Sequence, residues 1–492
     1  MDNEAQNDPE KQGAAEPSGP RPGVSRRLAP LYRLLAAGQI EERGVVPVPF
    51  EERTSTRYWN AFSIWFCMNV NILAITFGML GPAYGLSLRD SALVILFFTL
   101  LAALAPAFLG TLGPKTGMRQ MIQARFSFGR YFVSVPVVLN LATLTGFCVI
   151  ICVVGGQCLS AVTNGSMSDS VGIVIIAILA LVISFCGFKV LHWYEMIAWA
   201  PAIILIVIAT GIGGSHLKEQ APTEPATAPA VLSFGMIVAS YTIPWACLAS
   251  DFTTYFNPKV PSWRLFTYSY LGLVTPTVLL MTLGAAIGGV VPTIPAWQDG
   301  YDSLGVGGAL AAMLSPAGNF GKFVLVILAF TLLGNISGTM YSITLNFQIL
   351  VPWLVRVPRY VFSVVVTAII IPVAIRAATD FFDNLENFVS LIGYWTASFV
   401  GIVVMEHFVF RKREYAAYDN EAWNDARLLP TGIAALGAGV LSFGLVVPSM
   451  EQVWWTGPIA VHTGDIGFEM AFVVSALLYL PFRALERRLW GH

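Results

Sequence analysis

About twelve apolar runs follow one another from residue 58 onward, each of roughly 20 residues, which is the length a helix needs to cross a bilayer. The chain is 56% hydrophobic and 12% charged, whereas a soluble protein carries about twice that charged fraction. The runs begin near Trp59, Ser91, Tyr131, Ser170, Tyr194, Val231, Leu265, Gly321, Tyr360, Phe381, Pro430 and Gly467. The sequence therefore predicts an all-α integral membrane protein with about twelve transmembrane helices and the lipid bilayer as its solvent.

Two of these runs contain helix-breaking residues near their middle. The first interruption is predicted from Thr76 to Pro82, and the second from Thr242 to Trp245. Unwound backbone in a membrane leaves amide and carbonyl groups that lipid cannot satisfy but a bound solute can. Paired interruptions in corresponding halves of a chain are typical of secondary transporters.

The chain divides into three predicted regions. Residues 1–57 are polar and rich in proline, so we expect a mostly disordered tail without a cleavable signal peptide. Residues 58–410 form the predicted transporter core, with halves at about 58–215 and 231–410. Residues 411–492 contribute two further transmembrane helices and a short C-terminus.

Positive charge is distributed unevenly between alternate loops. Nearly all lysines and arginines lie in the tail, the C-terminus and every second loop; the exceptions are Arg89, Lys218, Lys322 and Arg376. The positive-inside rule predicts that both termini are cytosolic.

Other classes of protein find little support in the sequence. The net charge is −1 and no basic patch is interleaved with aromatics, which argues against a nucleic-acid partner. The six cysteines lie in or beside apolar runs and are interpreted as buried thiols, so neither a disulfide framework nor a metal site is expected. The spans lack metalloprotease and serine-hydrolase motifs, so an enzyme is not expected, and no cofactor is predicted.

Three segments resemble one known family. They are the loop from Gly113 to Arg130, the stretch from His192 to Glu195 with Trp199 and Pro201, and the stretch from Ser250 to Tyr255. Together they resemble the nucleobase–cation symporter family in its fungal purine–cytosine permease branch. The resemblance implies the leucine-transporter fold, in which spans 1–5 and 6–10 are inverted repeats. It also implies a solute site between the broken spans 1 and 6 and spans 3 and 8.

Trp245, beside the second interruption, is the strongest candidate for the substrate site. Its flat face can stack on a planar heterocycle, and it matches the tryptophan on span 6 that binds substrate in the family. The alternative role is packing or anchoring at the membrane interface, because the chain has 13 tryptophans.

Span 3 departs from the family pattern at a position that normally carries an amide. Phe147 can still sandwich a planar ring, although ordinary helix packing explains it equally well. Ile151 stands where the branch has asparagine and cannot form a hydrogen bond. A site that loses a buried amide loses discrimination for a polar edge.

Span 8 departs from the pattern as well. Asn335 keeps one of the amides of the branch, and either a ligand contact or an interhelical hydrogen bond would suit it. Gly338 replaces the second asparagine, and the neighbouring Thr339 is expected to compensate in part.

Cys67 and Asn71 complete the set of candidate substrate residues on span 1. The resemblance implies a small polar residue at the position of Cys67 and an amide near Asn71. Asn69 points about 200° away from Asn71 on a helix, so one of the two faces the site, and Asn71 is the choice.

The coupling ion is predicted to be a proton rather than sodium. The resemblance implies hydroxyl ligands for sodium on span 8, where this chain has Leu333 and Gly334. Asp251, which follows the second interruption, is the candidate proton carrier. The alternative is that Asp251 caps a helix or pairs with an arginine of a cytosolic loop.

The leading hypothesis is a cell-membrane symporter that imports a small planar heterocycle, with purines and cytosine as the default substrates. The altered positions on spans 3 and 8 keep vitamin B6, a nucleoside or a specialised metabolite open as alternatives. They also leave open a receptor that has lost transport. The sequence leaves the oligomeric state open.

Overall fold

The computed structural model describes residues 44–185, 197–351, 353–354, 357 and 359–491. Residues 1–43 and the stretch from His192 to Glu195 lie outside these ranges. The fold is built almost entirely from helices, with one short hairpin in which strand β1 (Glu451–Gln452) pairs antiparallel with β2 (Trp455–Thr456).

The α-helices are numbered in chain order through the described ranges. They are α1 Trp59–Asn69, α2 Ile72–Gly78, α3 Leu80–Ala83, α4 Leu88–Ala102, α5 Leu104–Gly110, α6 Leu112–Thr116, α7 Gln120–Phe132, α8 Ser134–Val162, α9 Asp169–Phe185, α10 Trp199–Gly213, α11 Ala228–Thr242, α12 Ser262–Val290, α13 Pro295–Leu314, α14 Gly318–Phe330, α15 Leu332–Leu350, α16 Arg359–Ala377, α17 Phe381–Met405, α18 Ile433–Ser449, α19 Ala460–Thr463 and α20 Gly467–Trp490.

Within the described ranges, seven helical stretches are long and apolar enough to cross a membrane, or eight if the bent pair at α1–α3 is one span. Two of them, Pro295–Leu350 and Val361–Phe410, contain breaks and are long enough to cross twice. Three shorter apolar helices accompany them: Asp169–Ser184, Trp199–Gly213 and Ile433–Ser449. The all-α membrane architecture is thus confirmed, and the count of twelve stays a prediction.

Helix α8 lies at the centre of the molecule. It packs against α9, α13, α14, α15 and α16. Helix α12 packs along α1, α2 and α4, while α17 packs against α11 and the second interruption, and α17 and α18 both pack against α20. This arrangement surrounds the two interrupted spans with long, intact helices.

The first interruption lies earlier than predicted, at Val70 and Asn71. Helices α1 and α2–α3 meet there at 60°. Asn71 is extended, with φ −156° and ψ 170°. Its side chain accepts a hydrogen bond from the amide of Leu73 (2.9 Å) and donates one to the carbonyl of Met68 (2.7 Å). The asparagine therefore ends one helix and caps the next.

The segment from Thr76 to Pro82, which the sequence predicted to be unwound, is almost wholly helical. Its glycine at position 78 serves close packing instead. A Cβ added there would lie 1.9 Å from the carbonyl oxygen of Met281 on α12. The reciprocal contact is made by Gly284 of α12, where a Cβ would lie 2.0 Å from the carbonyl oxygen of Ile75. Small residues of this kind let two membrane helices approach each other.

The second interruption lies where it was predicted. Helix α11 ends at Thr242, and two 3-10 segments follow, Ile243–Cys247 and Ala249–Phe252. Leu248 between them has φ −141° and ψ 6°. Pro244 lacks an amide hydrogen, so it cannot continue the hydrogen-bond pattern of α11.

The basic side chains of alternate loops lie together on one surface, here called the basic face. They donate hydrogen bonds to backbone carbonyls of neighbouring loops, and the pairs are Arg53 with Pro114, Lys115 with Pro258, Arg125 with Trp423 and Arg411 with Phe126. The opposite surface is here called the acidic face, and there the hydroxyl of Ser233 on α11 donates a hydrogen bond to Glu451 of β1. This division matches the alternation of charge along the sequence.

Residues 44–57, the last part of the tail predicted to be mostly disordered, are ordered. Arg53 is only 4% exposed and donates to the carbonyls of Val48, Pro114 and Lys115. The amide of Val48 donates to the carbonyl of Gly117 at 2.8 Å. Satisfied backbone groups and a buried guanidinium hold this part of the tail against the basic face.

Candidate functional site

A small cavity lies between the two interrupted spans and helices α8 and α15. Its volume is about 20 Å³, which is room for roughly one water molecule. A planar heterocycle therefore needs the surrounding helices or side chains to move before it can bind. The wall is formed by Leu73, Leu144, Phe147, Tyr241, Pro244, Trp245, Leu248, Asn335 and Thr339.

Two aromatic side chains that the sequence singled out, Trp245 and Phe147, both line this cavity. Trp245 is 8% exposed, and its ring packs edge-on against Trp65 with centroids 5.5 Å apart. Phe147 is half-buried and makes an edge contact with Phe388 of α17 at 6.0 Å. The contacts at their edges hold both rings in place, which is what a rigid stacking surface requires.

Asn335 also lines the cavity, and it ties α15 to the first interruption. Its amide nitrogen donates to the carbonyl of Met68 at 2.9 Å. Its amide oxygen accepts from the hydroxyl of Thr339 at 3.3 Å. The carbonyl of Met68 thereby accepts from two side-chain amides, those of Asn71 and Asn335.

Tyr241 belongs to the same wall, although the sequence did not mark it. It lies on the last turn of α11, four residues before Trp245, and that spacing would have placed both on one face. Leu144 likewise precedes Phe147 by three residues on α8. The periodicity of a helix was the available signal for both residues.

Three of the predicted substrate residues lie outside the cavity wall. Cys67 is buried on α1, and Gly338 lies on α15 beside Thr339. The side-chain amide of Asn71 forms hydrogen bonds with the backbone of Met68 and Leu73. Ile151, one turn after Phe147, is fully buried. The structure thus brings together Trp245, Phe147 and Asn335 and leaves the other candidates at the margin.

Asp251 lies between the cavity and the basic face. Its carboxylate accepts from the backbone amide of Gln120 at the start of α7 (2.9 Å) and from the hydroxyl of Ser342 on α15 (3.3 Å). The guanidinium of Arg119 donates to the backbone carbonyl of Asp251. The carboxylate therefore caps α7, which is the alternative role considered for this residue.

Further contacts join the chain around Asp251 to α5 and α7. Ser250 accepts from the side chain of Gln123 at 3.0 Å and donates to the carbonyl of Leu109 at 2.8 Å. Thr253 donates to the carbonyl of Gly110 at 2.7 Å. Together with the cap at Asp251, these contacts form what we call the basic-face seal, which ties the second interruption to α5 and α7.

Carboxyl and hydroxyl groups form a second set of contacts at the acidic face. Tyr84 donates to Glu386 at 2.6 Å, and Tyr394 donates to Asp465. Asp465 also accepts from the backbone amide of Glu451 at 2.9 Å. Burial raises the pKa of Asp465 to about 6, although its hydrogen bonds oppose that shift. The contacts link the first span to α17 and the hairpin after α18.

Possible metal ligands and cysteines are present in the described ranges. No group of three or more histidine, cysteine, aspartate or glutamate side chains there is arranged to hold a metal ion. The five cysteines within those ranges are buried, and a buried thiol packs as a small apolar side chain.

Residues 47–422 match the profile of a family described as "Permease for cytosine/purines, uracil, thiamine, allantoin". A relative from Emericella nidulans, purine-cytosine permease fcyB, is 36% identical over 94% of this chain and 92% of its own length. The chain belongs to the cytosine/purine permease family. It is accordingly a multi-pass membrane transporter and not an enzyme.

A second relative and a solved structure agree with this permease assignment. Vitamin B6 transporter TPN1 of Saccharomyces cerevisiae is 27% identical over 97% of this chain and 93% of its own length. The nucleobase-cation-symport-1 transporter Mhp1, solved in a closed conformation with bromovinylhydantoin bound, has 16% identity and a TM-score of 0.70. The match covers 92% of this permease and 96% of Mhp1. At that identity the likeness establishes the fold, which is the predicted leucine-transporter fold.

Proposed function

We propose that this protein imports a purine- or cytosine-type nucleobase, or a related planar heterocycle, across the cell membrane. The observation that carries the proposal is the cavity at the two interruptions, where Trp245 and Phe147 supply aromatic surface and Asn335 an amide. An apolar, aromatic site with few polar groups suits a flat ring with one polar edge. Stacking on an aromatic side chain contributes about 1–3 kcal/mol per base.

Vitamin B6 is a second candidate substrate for the same site. Its ring is also planar, and a relative with 27% identity is named as its transporter. The positions where the resemblance implies amides, Ile151 and Gly338, carry none, so the polar contacts of this site differ from those of the branch. That difference favours testing pyridoxine beside the nucleobases.

The charge distribution supports an orientation in which the basic face is cytosolic, with both termini on that side. The heterocycle enters from the acidic face after the contacts of Tyr84 and Tyr394 separate. It leaves after the basic-face seal opens. Transporters of this fold alternate by rocking one group of helices against the other around a fixed site.

A proton is proposed as the coupling ion, with Asp251 as its carrier. An ionised carboxylate at the N-terminus of α7 is stabilised by the helix dipole. Protonation removes that charge and weakens the cap, which loosens the basic-face seal when substrate is loaded. Sodium is disfavoured because Leu333 and Gly334 offer no hydroxyl oxygen. The carbonyl of Met68, in addition, already accepts from two amides.

Uptake in a transport-deficient yeast tests the proposed function. Cells that express the protein are given labelled adenine, cytosine, hypoxanthine or pyridoxine, with and without a protonophore and in sodium-containing or sodium-free buffer. We expect accumulation of at least one heterocycle, its collapse with the protonophore and no requirement for sodium. Failure to accumulate any of the four contradicts the function, and accumulation that requires sodium contradicts the coupling.

Asp251→Asn tests the carrier separately from the substrate. We expect wild-type uptake to rise several-fold as the external pH falls from about 7.5 to 5.5, and the uptake of Asp251→Asn to be low and independent of pH. Exchange of labelled for unlabelled substrate should persist, because exchange requires no net proton movement. Asp425→Asn, an exposed carboxyl in a loop of the basic face, is the control. Unaltered pH dependence in Asp251→Asn would assign the proton to another group.

A further inference from the structure

Tyr241 is a residue of the cavity wall whose hydroxyl group is buried. The residue is 3% exposed and lines the cavity wall. Its ring contacts Phe77 in an edge arrangement with centroids 4.8 Å apart, which fixes the side chain. Among the described residues, its hydroxyl has no hydrogen-bond partner. Leaving a buried hydroxyl unpaired is costly, so such a group needs a partner, and a bound solute can supply one.

The other polar side chains of the wall on α15 are already committed. Asn335 donates to Met68, and the hydroxyl of Thr339 donates to the carbonyl of Asn335 at 2.9 Å and to its amide oxygen at 3.3 Å. With its hydrogen so engaged, Thr339 can only accept from a solute. Tyr241, in contrast, retains both its donor and its acceptor capacity.

We infer that Tyr241 is a specificity-determining residue of this site and donates a hydrogen bond to a ring nitrogen or carbonyl oxygen at the edge of the bound heterocycle. The inference rests on the proposed function and adds to it the chemistry of the polar edge. Lone pairs on such nitrogen and oxygen atoms lie in the plane of the ring. A heterocycle stacked on Trp245 directs its edge, and not its face, towards neighbouring side chains of the wall.

The position of Tyr241 explains how the site can discriminate without amides at 151 and 338. Ile151 and Gly338 leave α8 and α15 with fewer polar groups than the resemblance implies. A hydroxyl from α11, one turn before Trp245, supplies a polar contact from the interrupted span itself. A site built to hydrogen-bond one atom of a substrate strongly rejects an analogue that lacks it.

The test combines Tyr241→Phe with analogues of the best-transported base in which one ring nitrogen at a time is replaced by C–H. Competition with labelled parent compound gives the apparent affinity of each analogue for wild-type protein and for Tyr241→Phe. The ring of phenylalanine preserves the contact with Phe77, so expression at the cell surface, measured by biotinylation, should equal that of wild type. Thermal stability of the purified variant should be equal or higher, because an unpaired hydroxyl is removed.

We expect one analogue to bind wild-type protein at least tenfold more weakly than the parent compound and to bind Tyr241→Phe as well as the parent does. The KM of the parent should rise by the same factor in Tyr241→Phe, with little change in maximal rate. If Tyr241 donates to a carbonyl oxygen of the base, the analogues with a replaced ring nitrogen keep the same order of affinity in both proteins. In that case the analogue that lacks the carbonyl oxygen binds wild-type protein more weakly than the parent compound does, and it binds Tyr241→Phe as well as the parent does.

Thr277→Val is the control, since the buried hydroxyl of Thr277 on α12 also has no hydrogen-bond partner among the described residues, but Thr277 lies outside the cavity wall. The inference would be overturned if the KM of the parent compound is unchanged in Tyr241→Phe. It would also be overturned if Tyr241→Phe still distinguishes every analogue from the parent compound as wild-type protein does. Either result leaves the proposed function intact. Absence of uptake of any heterocycle by wild-type protein would overturn both.

Discussion

Replacing Trp245 with alanine is expected to reduce uptake to near background while the protein still reaches the cell surface. The indole is 8% exposed and lines the cavity at the second interruption. Loss of a stacking interaction of about 1–3 kcal/mol raises KM roughly 5- to 150-fold. At micromolar concentrations of labelled base, a shift of that size removes most of the measured rate.

Two further variants show whether the effect comes from stacking. Trp245→Phe keeps a smaller aromatic face and should retain part of the uptake, with a KM between those of wild type and Trp245→Ala. Trp263→Ala removes a tryptophan that is 67% exposed at the start of α12 and should leave uptake unchanged. Normal KM in Trp245→Ala would remove this residue from the binding site.

Adding one methyl group at Gly78 is expected to prevent the protein from accumulating at the surface. The Cβ of Gly78→Ala would lie 1.9 Å from a backbone carbonyl oxygen of α12. Since backbone cannot rotate away as a side chain can, the two helices must separate, which costs about 3 kcal/mol or more. That is a large fraction of the stability of a typical folded domain. The measurement is surface biotinylation and thermal unfolding in detergent.

Gly211→Ala provides a matched control for this packing effect. Gly211 is also a helical glycine in an apolar helix, α10, and a Cβ there meets no atom of the described part of the chain within 4 Å. The substitution should be neutral or stabilise slightly, because alanine favours a helix by about 1 kcal/mol over glycine. Equal expression of Gly78→Ala and Gly211→Ala would contradict the close approach of α2 and α12.

The location of the first interruption shows what sequence reasoning could not supply. Gly78 and Gly81 suggested unwound chain, yet both lie against neighbouring elements and permit close packing. In a sequence, a glycine that interrupts a helix cannot be told from a glycine that lets two helices approach closely. The distinction requires the position of the neighbouring helix. Asn71 carried the local signal, because a short amide side chain readily bonds to nearby backbone groups.

The second interruption was predictable because its cause is local. Pro244 removes a backbone donor wherever it stands, so the end of α11 follows from the sequence itself. Trp245 was placed in the site by the same feature together with the family resemblance. Tyr241 was overlooked although its spacing of one helical turn was visible, because tyrosine is also an ordinary residue of a membrane core.

The regions outside the spans were the least predictable. Helix α13, Pro295–Leu314, precedes the apolar run predicted to begin near Gly321 and was not predicted, and two of its residues, Leu304 and Gly305, depart from helical geometry. The docking of residues 44–57 depends on buried hydrogen bonds from Arg53 to distant carbonyls. Contacts between segments far apart in sequence leave no periodic pattern that could have revealed them.

Uptake into proteoliposomes tests the central claim most directly. Purified protein is reconstituted, a pH gradient acid outside is imposed across sodium-free membranes, and labelled adenine, cytosine, hypoxanthine and pyridoxine are supplied in turn. We predict transient accumulation of at least one heterocycle above its external concentration, lost with a protonophore and lost in Trp245→Ala. Accumulation of none of the four by wild-type protein that is folded and correctly inserted would contradict the account.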